Sequence, residues 1–261
     1  MKTVVVSDIH ANSTVALCPP SVQLEDGGTY TPNKLQLYLW DKWVDFVDRV
    51  PKGSLVVVNG DLIHGANAMK DTQIISSNKA VMRDIAYKCI EPLAKKAGEI
   101  YFVRGTEWHE STGAQDLETV ARGFRNTVVN DSGQYSSWEL WIELYGKVFH
   151  FTHHVGMGVG SLAKEMQDAV SSFVLNGQTL PDVMIRSHKH LTSSYTDGRR
   201  HIFVTPAWQA KTAFLVKIKP MMTSDIGGII YNGSKSGEIT WQTILYSLPK
   251  PNVTQSQLMQ K

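Results

Sequence analysis

Apolar positions fall along this chain in distinct patterns, and each predicts a different element. Thr3-Val4-Val5-Val6, the segment from Ser54 to Asn59 and the segment from Ile100 to Arg104 are short and continuously apolar. Such runs, bounded by Gly and Pro, predict strands buried on both faces of a parallel sheet. Between them, Leu35, Leu39, Trp43, Phe46 and Val50 recur at helical spacing and stop at Pro51 and Gly53. Met82, Ile85, Cys89 and Leu93 repeat that spacing, with Gly98 expected to end the helix. Leu117, Val120, Ala121 and Phe124 predict another short helix.

The second half changes character. Trp138, Leu140, Ile142 and Leu144 alternate with Glu139, Trp141, Glu143 and Tyr145, the period of a strand. Lys147 to Thr152 is its expected neighbour, and Asp182 to Ser187 a further strand. Between these, Leu162, Met166, Val170 and Phe173 mark a helix opened by the loop from Gly156 to Gly160. Asp197-Gly198 and Asn232-Gly233 are hairpin-turn signals. Cys18 to Asn33, with Pro19, Pro20, Gly27, Gly28 and Pro32, reads as irregular. The order βαβαβα followed by a strand-rich half predicts one α/β domain over residues 1–248, built on two sheets, with 249–261 as a loose tail.

Composition narrows the setting. Hydrophobic content of 42% and charged content of 19% are those of an ordinary globular protein. No apolar run approaches the roughly 20 residues of a membrane helix, and the N-terminus lacks a signal-peptide pattern. Two cysteines, Cys18 and Cys89, form no disulfide framework, so a reducing, cytoplasmic setting is expected, with no membrane partner. A net charge of +2 makes no global electrostatic case for nucleic acid.

The candidate chemistry collects at strand ends. Asp8 and His10, Asp61, Glu107 and His109, His153 and His154, and His188 and His190 each follow a predicted strand. Of the nine histidines, seven lie in these clusters or beside them at His64; His150 and His201 fall within strands and read as core or face residues. Imidazole and carboxylate together suit Zn, Mn or Fe, and thiolate is absent from the set. The ligands are too many for one tetrahedral ion and enough for two that share a carboxylate.

The order and spacing of these clusters resemble the calcineurin-like metallophosphoesterase superfamily, whose pattern runs D-x-H, G-D-x-x, G-N-H-[DE], H, G-H-x-H. Here the matches are Asp8-Ile9-His10, Gly60-Asp61-Leu62-Ile63, Gly105-Thr106-Glu107-Trp108-His109-Glu110, His153 and Ser187-His188-Lys189-His190. The motifs are also similar to those of small members encoded by tailed bacteriophages, which would place the protein in a host cytoplasm. The resemblance implies a sandwich of two mixed β-sheets flanked by α-helices, with the site at the strand ends between them. It implies that Asp8, His10 and His190 hold one metal, that Asp61 bridges, and that His153 and His188 hold the other. The expected ions are two divalent cations, manganese first, with iron, zinc or nickel as alternatives. His109 would polarise the substrate phosphate or protonate the leaving group while a metal-bridging hydroxide attacks phosphorus in line.

Two departures stand out. The family's metal-binding Asn is missing, and Glu107 is expected in its coordination position, with Thr106 as the second candidate. Ser187 replaces the family's Gly, expected to alter the turn and leave the ligands unchanged. His153, the first of the pair, is preferred to His154 because that is how the family's motif aligns. Around the motifs, His64 is expected either to contact substrate or to sit on the surface. Trp108 is expected to stack on a substrate ring or pack beneath the metals. Asn12 is expected to contact substrate or cap a helix. Trp40, Trp43 and Phe46 read as helix core, and the glycine-rich loop as a substrate contact, a lid or simple backbone geometry. The function implied is hydrolysis of phosphomono- or phosphodiesters, a small ester ranking above nucleic acid. The alternatives are a DNA nuclease of the same superfamily and a non-catalytic metal-binding interaction module on the same fold.

Overall fold

The computed structural model describes residues 2–65, 73–155, 161–218, 220–234 and 237–249. The initial apolar run forms β1 (Lys2–Val6). The irregular stretch holds a small ribbon, β2 (Val22–Gln23) with β3 (Thr29–Tyr30), before α1 (Lys34–Asp48). Asn33 and Gln36 close the start of α1 reciprocally, each side chain accepting from the other's backbone N–H. Next come β4 (Ser54–Asn59), α2 (Lys79–Ala94), β5 (Ala97–Val103) and the single-turn α3 (Glu107–Glu110). A 3-10 turn over Thr112–Ala114 leads into α4 (Gln115–Arg122). The remainder comprises β6 (Glu139–Leu144), β7 (Lys147–Thr152), α5 (Leu162–Leu175) and β8 (Val183–Arg186). It closes with β9 (Ser193–Thr196), β10 (His201–Val204), α6 (Ala213–Ile218), β11 (Ile226–Gly233) and β12 (Ile239–Tyr246).

Two five-stranded sheets result, ordered β12-β11-β1-β4-β5 and β6-β7-β8-β10-β9. The first-sheet strands are apolar on both faces because each face enters a different core. Val4, Val6, Val56 and Val58 pack with Trp43, Phe46, Met82, Ile85 and Leu117 of the helices. Val5, Leu55 and Val57 face the other way, against Phe149, Phe151, Val183, Ile185 and Phe203 of the second sheet. The second sheet's outer face is thinner, Met184 and Ile202 meeting Met166 of α5. The architecture is therefore two mixed sheets, face to face and flanked by helices, as the sequence pattern and the resemblance predict.

Local expectations meet two corrections. Gly98 does not end α2; the helix is capped at Lys95, and Gly98 lies within β5, where its missing side chain lets the Gly53 carbonyl approach. Asn232-Gly233 is not the hairpin turn either. Both residues pair with β12, opposite Thr240 and Ile239, and at Gly233 the missing side chain leaves room for the Tyr145 ring. Trp43 and Phe46 are fully buried, as is Cys89, and the Asp197-Gly198 turn joins antiparallel β9 and β10 as expected. The Gly156–Gly160 loop, and the predicted tail from residue 250 on, lie outside the described residues. None of the described helices is long and apolar enough to cross a membrane.

Candidate metal centre

Parallel pairing explains why the motifs converge. β1, β4 and β5 run parallel, so the residues after Val6, Asn59 and Val103 share one sheet edge. β7 and β8 are parallel too, and their carboxyl ends bring His153 and His188 to the facing edge of the second sheet. Beyond the strands the pairing continues through the motif loops: Asp8 N–H donates to the Gly60 carbonyl, His10 N–H to Asp61 and Ser187 N–H to His153.

The backbone at these turns is unusual. Asp8 (φ 49°), His10 (φ 46°), Asp61 (φ 49°), His188 (φ 72°) and His190 (φ 55°) all lie in the left-handed region that side chains with a Cβ avoid. Each such residue costs about 1–3 kcal/mol, which the surrounding structure must offset, and such strain clusters where side chains are aimed at a ligand. Gly60 has φ 86°, and a Cβ there would strike the His153 ring.

Two ligand groups form. In the first, Asp8 Oδ1 lies 3.2 Å from His190 Nε2 and 3.8 Å from His10 Nε2, and the two Nε2 atoms are 3.2 Å apart. In the second, Asp61 Oδ2 lies 3.0 Å from His153 Nε2 and 3.9 Å from His188 Nδ1. The groups adjoin, with Asp61 Oδ2 at 4.0 Å from His10 Nε2 and Asp8 Oδ1 at 3.9 Å from His153 Nε2. Asp8, His10, Asp61 and His153 are each buried to within 1%. His10, His64 and His109 also converge, the His109 ring 4.5 Å from His10 and 4.9 Å from His64.

These donors fit divalent cations. Asp8 Oδ1 is buried without a hydrogen-bond donor, an arrangement that costs several kcal/mol unless a cation compensates it. His153 holds its Nδ1 2.8 Å from the Asn59 carbonyl, and that bond leaves Nε2 facing the carboxylates. Electrostatics point the same way. Burial alone would lower the His153 imidazole, but Asp61 and Asp8 carry it up to about 10. Burial would raise Asp8 and Asp61, yet the neighbouring histidines hold both well below the ordinary carboxylate range. The space between the carboxylates thus attracts positive charge. His10 and His109 go the other way, burial foremost, to about 4 and about 2.

The structure sorts the predicted site residues. Asp8, His10, Asp61, His153, His188 and His190 come together, His64 and His109 border them, and His154 is exposed. Glu107 does not join: it projects exposed from α3, outside each cluster of described His and Asp side chains. Thr106 instead donates its N–H and hydroxyl to Asp61 Oδ1, at 2.6 and 3.0 Å. The short α3 turn is the physical reason, since it carries Glu107 outward while bringing His109 back over the site. Asn12 neither caps a helix among the described residues nor joins the clustered Asp and His side chains. Its amide holds together two loops, donating to the His64 and Ser76 carbonyls and accepting from Ser76 N–H. Trp108 is 56% exposed, which excludes packing beneath the ligands. Glu110 is a further residue of the site: it is fully buried and accepts from Leu62 N–H at 2.7 Å and Gly105 N–H at 2.5 Å. Its place at the last position of the third motif was the available signal. Asn59, Ser7 and Thr205, which support the ligands from behind, carried none.

No curated protein sequence matches the chain. Among solved structures, a single mutant of Vps29 from Entamoeba histolytica is similar over 95% of this chain and 100% of its own, at 11% identity and a TM-score of 0.48. A phosphodiesterase described as archaeal is similar over 94% of this chain and 100% of its own, at 14% identity and a TM-score of 0.48. Vps29 from Cryptosporidium parvum is similar over 94% and 97%, at 9% identity and a TM-score of 0.43. The family profile described as calcineurin-like phosphoesterase matches residues 1–192, which contain all the clustered Asp and His residues above, and the chain belongs to that family.

Proposed function

We propose that the protein is a dinuclear metal-dependent phosphoesterase that hydrolyses phosphomono- or phosphodiesters. The observation that carries this reading is the adjacency of the Asp8–His10–His190 and Asp61–His153–His188 groups, with His109 against the first. Asp8, His10 and His190 would hold one cation, His153 and His188 the other, and Asp61, near both, would bridge. Manganese is the expected ion, with iron, zinc or nickel as alternatives. A bound pair supplies Lewis-acid neutralisation of the phosphoryl charge and a nucleophilic water at neutral pH.

The chain's own residues do the rest. Thr106 holds Asp61 Oδ1, so that Oδ2 faces the histidines. Burial keeps His109 neutral, so it serves as an N–H donor to a phosphoryl oxygen and does not carry the leaving group's proton in the resting site. His64 borders the same space, and the exposed Trp108 ring, one residue before His109, would stack on an aromatic leaving group.

The test is turnover of bis-p-nitrophenyl phosphate and p-nitrophenyl phosphate with Mn, Zn, Ni and Mg supplied in turn. Hydrolysis that vanishes with EDTA and in Asp61→Ala is expected. No turnover with any metal, despite bound ions, would sink the enzyme reading in favour of a metal-binding interaction module, for which the missing Asn ligand speaks. Degradation of single- or double-stranded DNA, lost in Asp61→Ala, would move the substrate to nucleic acid.

A further inference from the structure

Ser187 stands where the family pattern has glycine, and its hydroxyl does more than shape a turn. It is fully buried and sits in a continuous chain of hydrogen bonds. Asn59 Nδ2 lies 2.6 Å from Ser187 Oγ, Ser187 Oγ lies 2.7 Å from Thr205 Oγ1, and Thr205 Oγ1 lies 2.6 Å from Ser7 Oγ. Ser7 Oγ completes the chain at 2.7 Å from Asp8 Oδ2.

Both ends of this chain are fixed by chemistry. The Asn59 amide nitrogen can donate and cannot accept, and the ionised Asp8 carboxylate can accept and cannot donate. Each hydroxyl carries one proton. Every contact receives a proton in one arrangement, in which Asn59 donates to Ser187, Ser187 to Thr205, Thr205 to Ser7 and Ser7 to Asp8. Competing acceptors are farther away, the Pro206 carbonyl 3.2 Å from Ser7 Oγ and the Arg186 carbonyl 3.3 Å from Thr205 Oγ1. Turning either hydroxyl to them would leave oxygen lone pairs facing each other at hydrogen-bond distance. Aligned in one direction, the bonds polarise one another.

The chain links the two ligand groups from behind. At one end, Ser7 and the His188 N–H, the latter at 3.2 Å, occupy Asp8 Oδ2 and leave Oδ1 turned toward His190. At the other end, Asn59 sends its side chain to Ser187 while its backbone carbonyl fixes the His153 ring. Ser187 also immediately precedes His188 in the chain. With glycine at this position, Thr205 would lose a donor and Asn59 an acceptor, both in a buried setting.

We propose that Ser187 is a positioning residue whose hydroxyl, through Thr205 and Ser7, fixes Asp8 and His153 in register, so that the two ligand groups form as one unit. The inference rests on the metal-binding part of the proposed function. Its experiment is calorimetric titration of the full metal-free chain with Mn²⁺ and, separately, Zn²⁺. Ser187→Ala, Ser187→Gly and Thr205→Val should each weaken binding about tenfold. Thr205→Ser, which keeps the hydroxyl, should stay within about twofold of the wild type. Ser187→Ala combined with Thr205→Val should cost little more than either alone, because both break the same chain. Thermal midpoints in EDTA provide the control: a merely structural role would lower them and leave metal affinity unchanged.

Unchanged affinity in Ser187→Ala, additive losses in the double variant, or an equal loss in Thr205→Ser would each overturn the inference while leaving the metal centre standing. A wild-type chain that binds neither ion would overturn both.

Discussion

Gly60 offers a test of how tightly the second ligand group is built. Its φ of 86° is matched by Gly27, in the small β2–β3 ribbon, also at 86°. A Cβ at Gly27 would meet nothing within 4 Å, whereas one at Gly60 would fall on the His153 ring. The two Gly→Ala variants therefore share a dihedral penalty and differ in one contact. The shared penalty is about 1–2 kcal/mol. Gly60→Ala adds the cost of forcing a side chain into filled space, typically about 1–3 kcal/mol, and pushes His153 out of reach of Asp61. For a chain of this size each kcal/mol is worth about 2–4 °C in Tm. Gly27→Ala should thus lower Tm by about 2–8 °C, and Gly60→Ala by several degrees more. Circular-dichroism melts in EDTA give the stability difference, and Zn²⁺ titration should show full-affinity binding in Gly27→Ala and a loss of at least about tenfold in Gly60→Ala. If the two variants melt together and bind Zn²⁺ alike, the close packing of Gly60 on His153 has no energetic meaning, and the argument fails.

Other expectations can be checked in the same preparations. In the metal-free protein His153 is raised to about 10, so at pH 8 it carries a proton that an incoming cation must displace. Zn²⁺ titrations at pH 8 in buffers of differing ionisation enthalpy should report release of about one proton, and affinity should rise with pH; a buffer-independent enthalpy would contradict this. His154→Ala and Glu107→Ala, at exposed positions outside the ligand groups, should bind metal within about twofold of the wild type. His153→Ala should lose at least about tenfold. Equal losses in Glu107→Ala would return that carboxylate to the coordination sphere. Trp108→Ala should raise KM for aryl phosphodiesters at least about fivefold, since base–aromatic stacking is worth about 1–3 kcal/mol, without moving Tm. An unchanged KM would remove Trp108 from substrate contact.

Most of the secondary-structure elements, and the strand ends where Asp and His side chains gather, were legible in the sequence. Continuous β-branched runs such as Thr3 to Val6 can be satisfied by a strand buried on both faces. An Asp or His after each such run is placed at a sheet edge whatever the details of packing. For that reason the gathering of Asp8, His10, Asp61, His188 and His190 at strand ends was legible in the sequence, while the metal-holding roles proposed for them came from the family resemblance. The outcome at Glu107 was not legible, because a single turn of helix decides whether a side chain faces the site or the solvent, and periodicity over four residues does not resolve that. Asn12 misled for a similar reason: an amide near a ligand pair looks the same in sequence whether it faces substrate or crosslinks loops.

Contacts between residues far apart in the chain came only with the folded structure. It brought β11 back beside β1 as an antiparallel neighbour, and it buried His153 among the carboxylates while leaving its neighbour His154 exposed. It also joined Ser7, Asn59, Ser187 and Thr205 into one hydrogen-bonded chain. Hydroxyls and amides carry no periodic signal and no motif of their own. Their roles arise when packing removes water and leaves buried donors and acceptors only one another as partners.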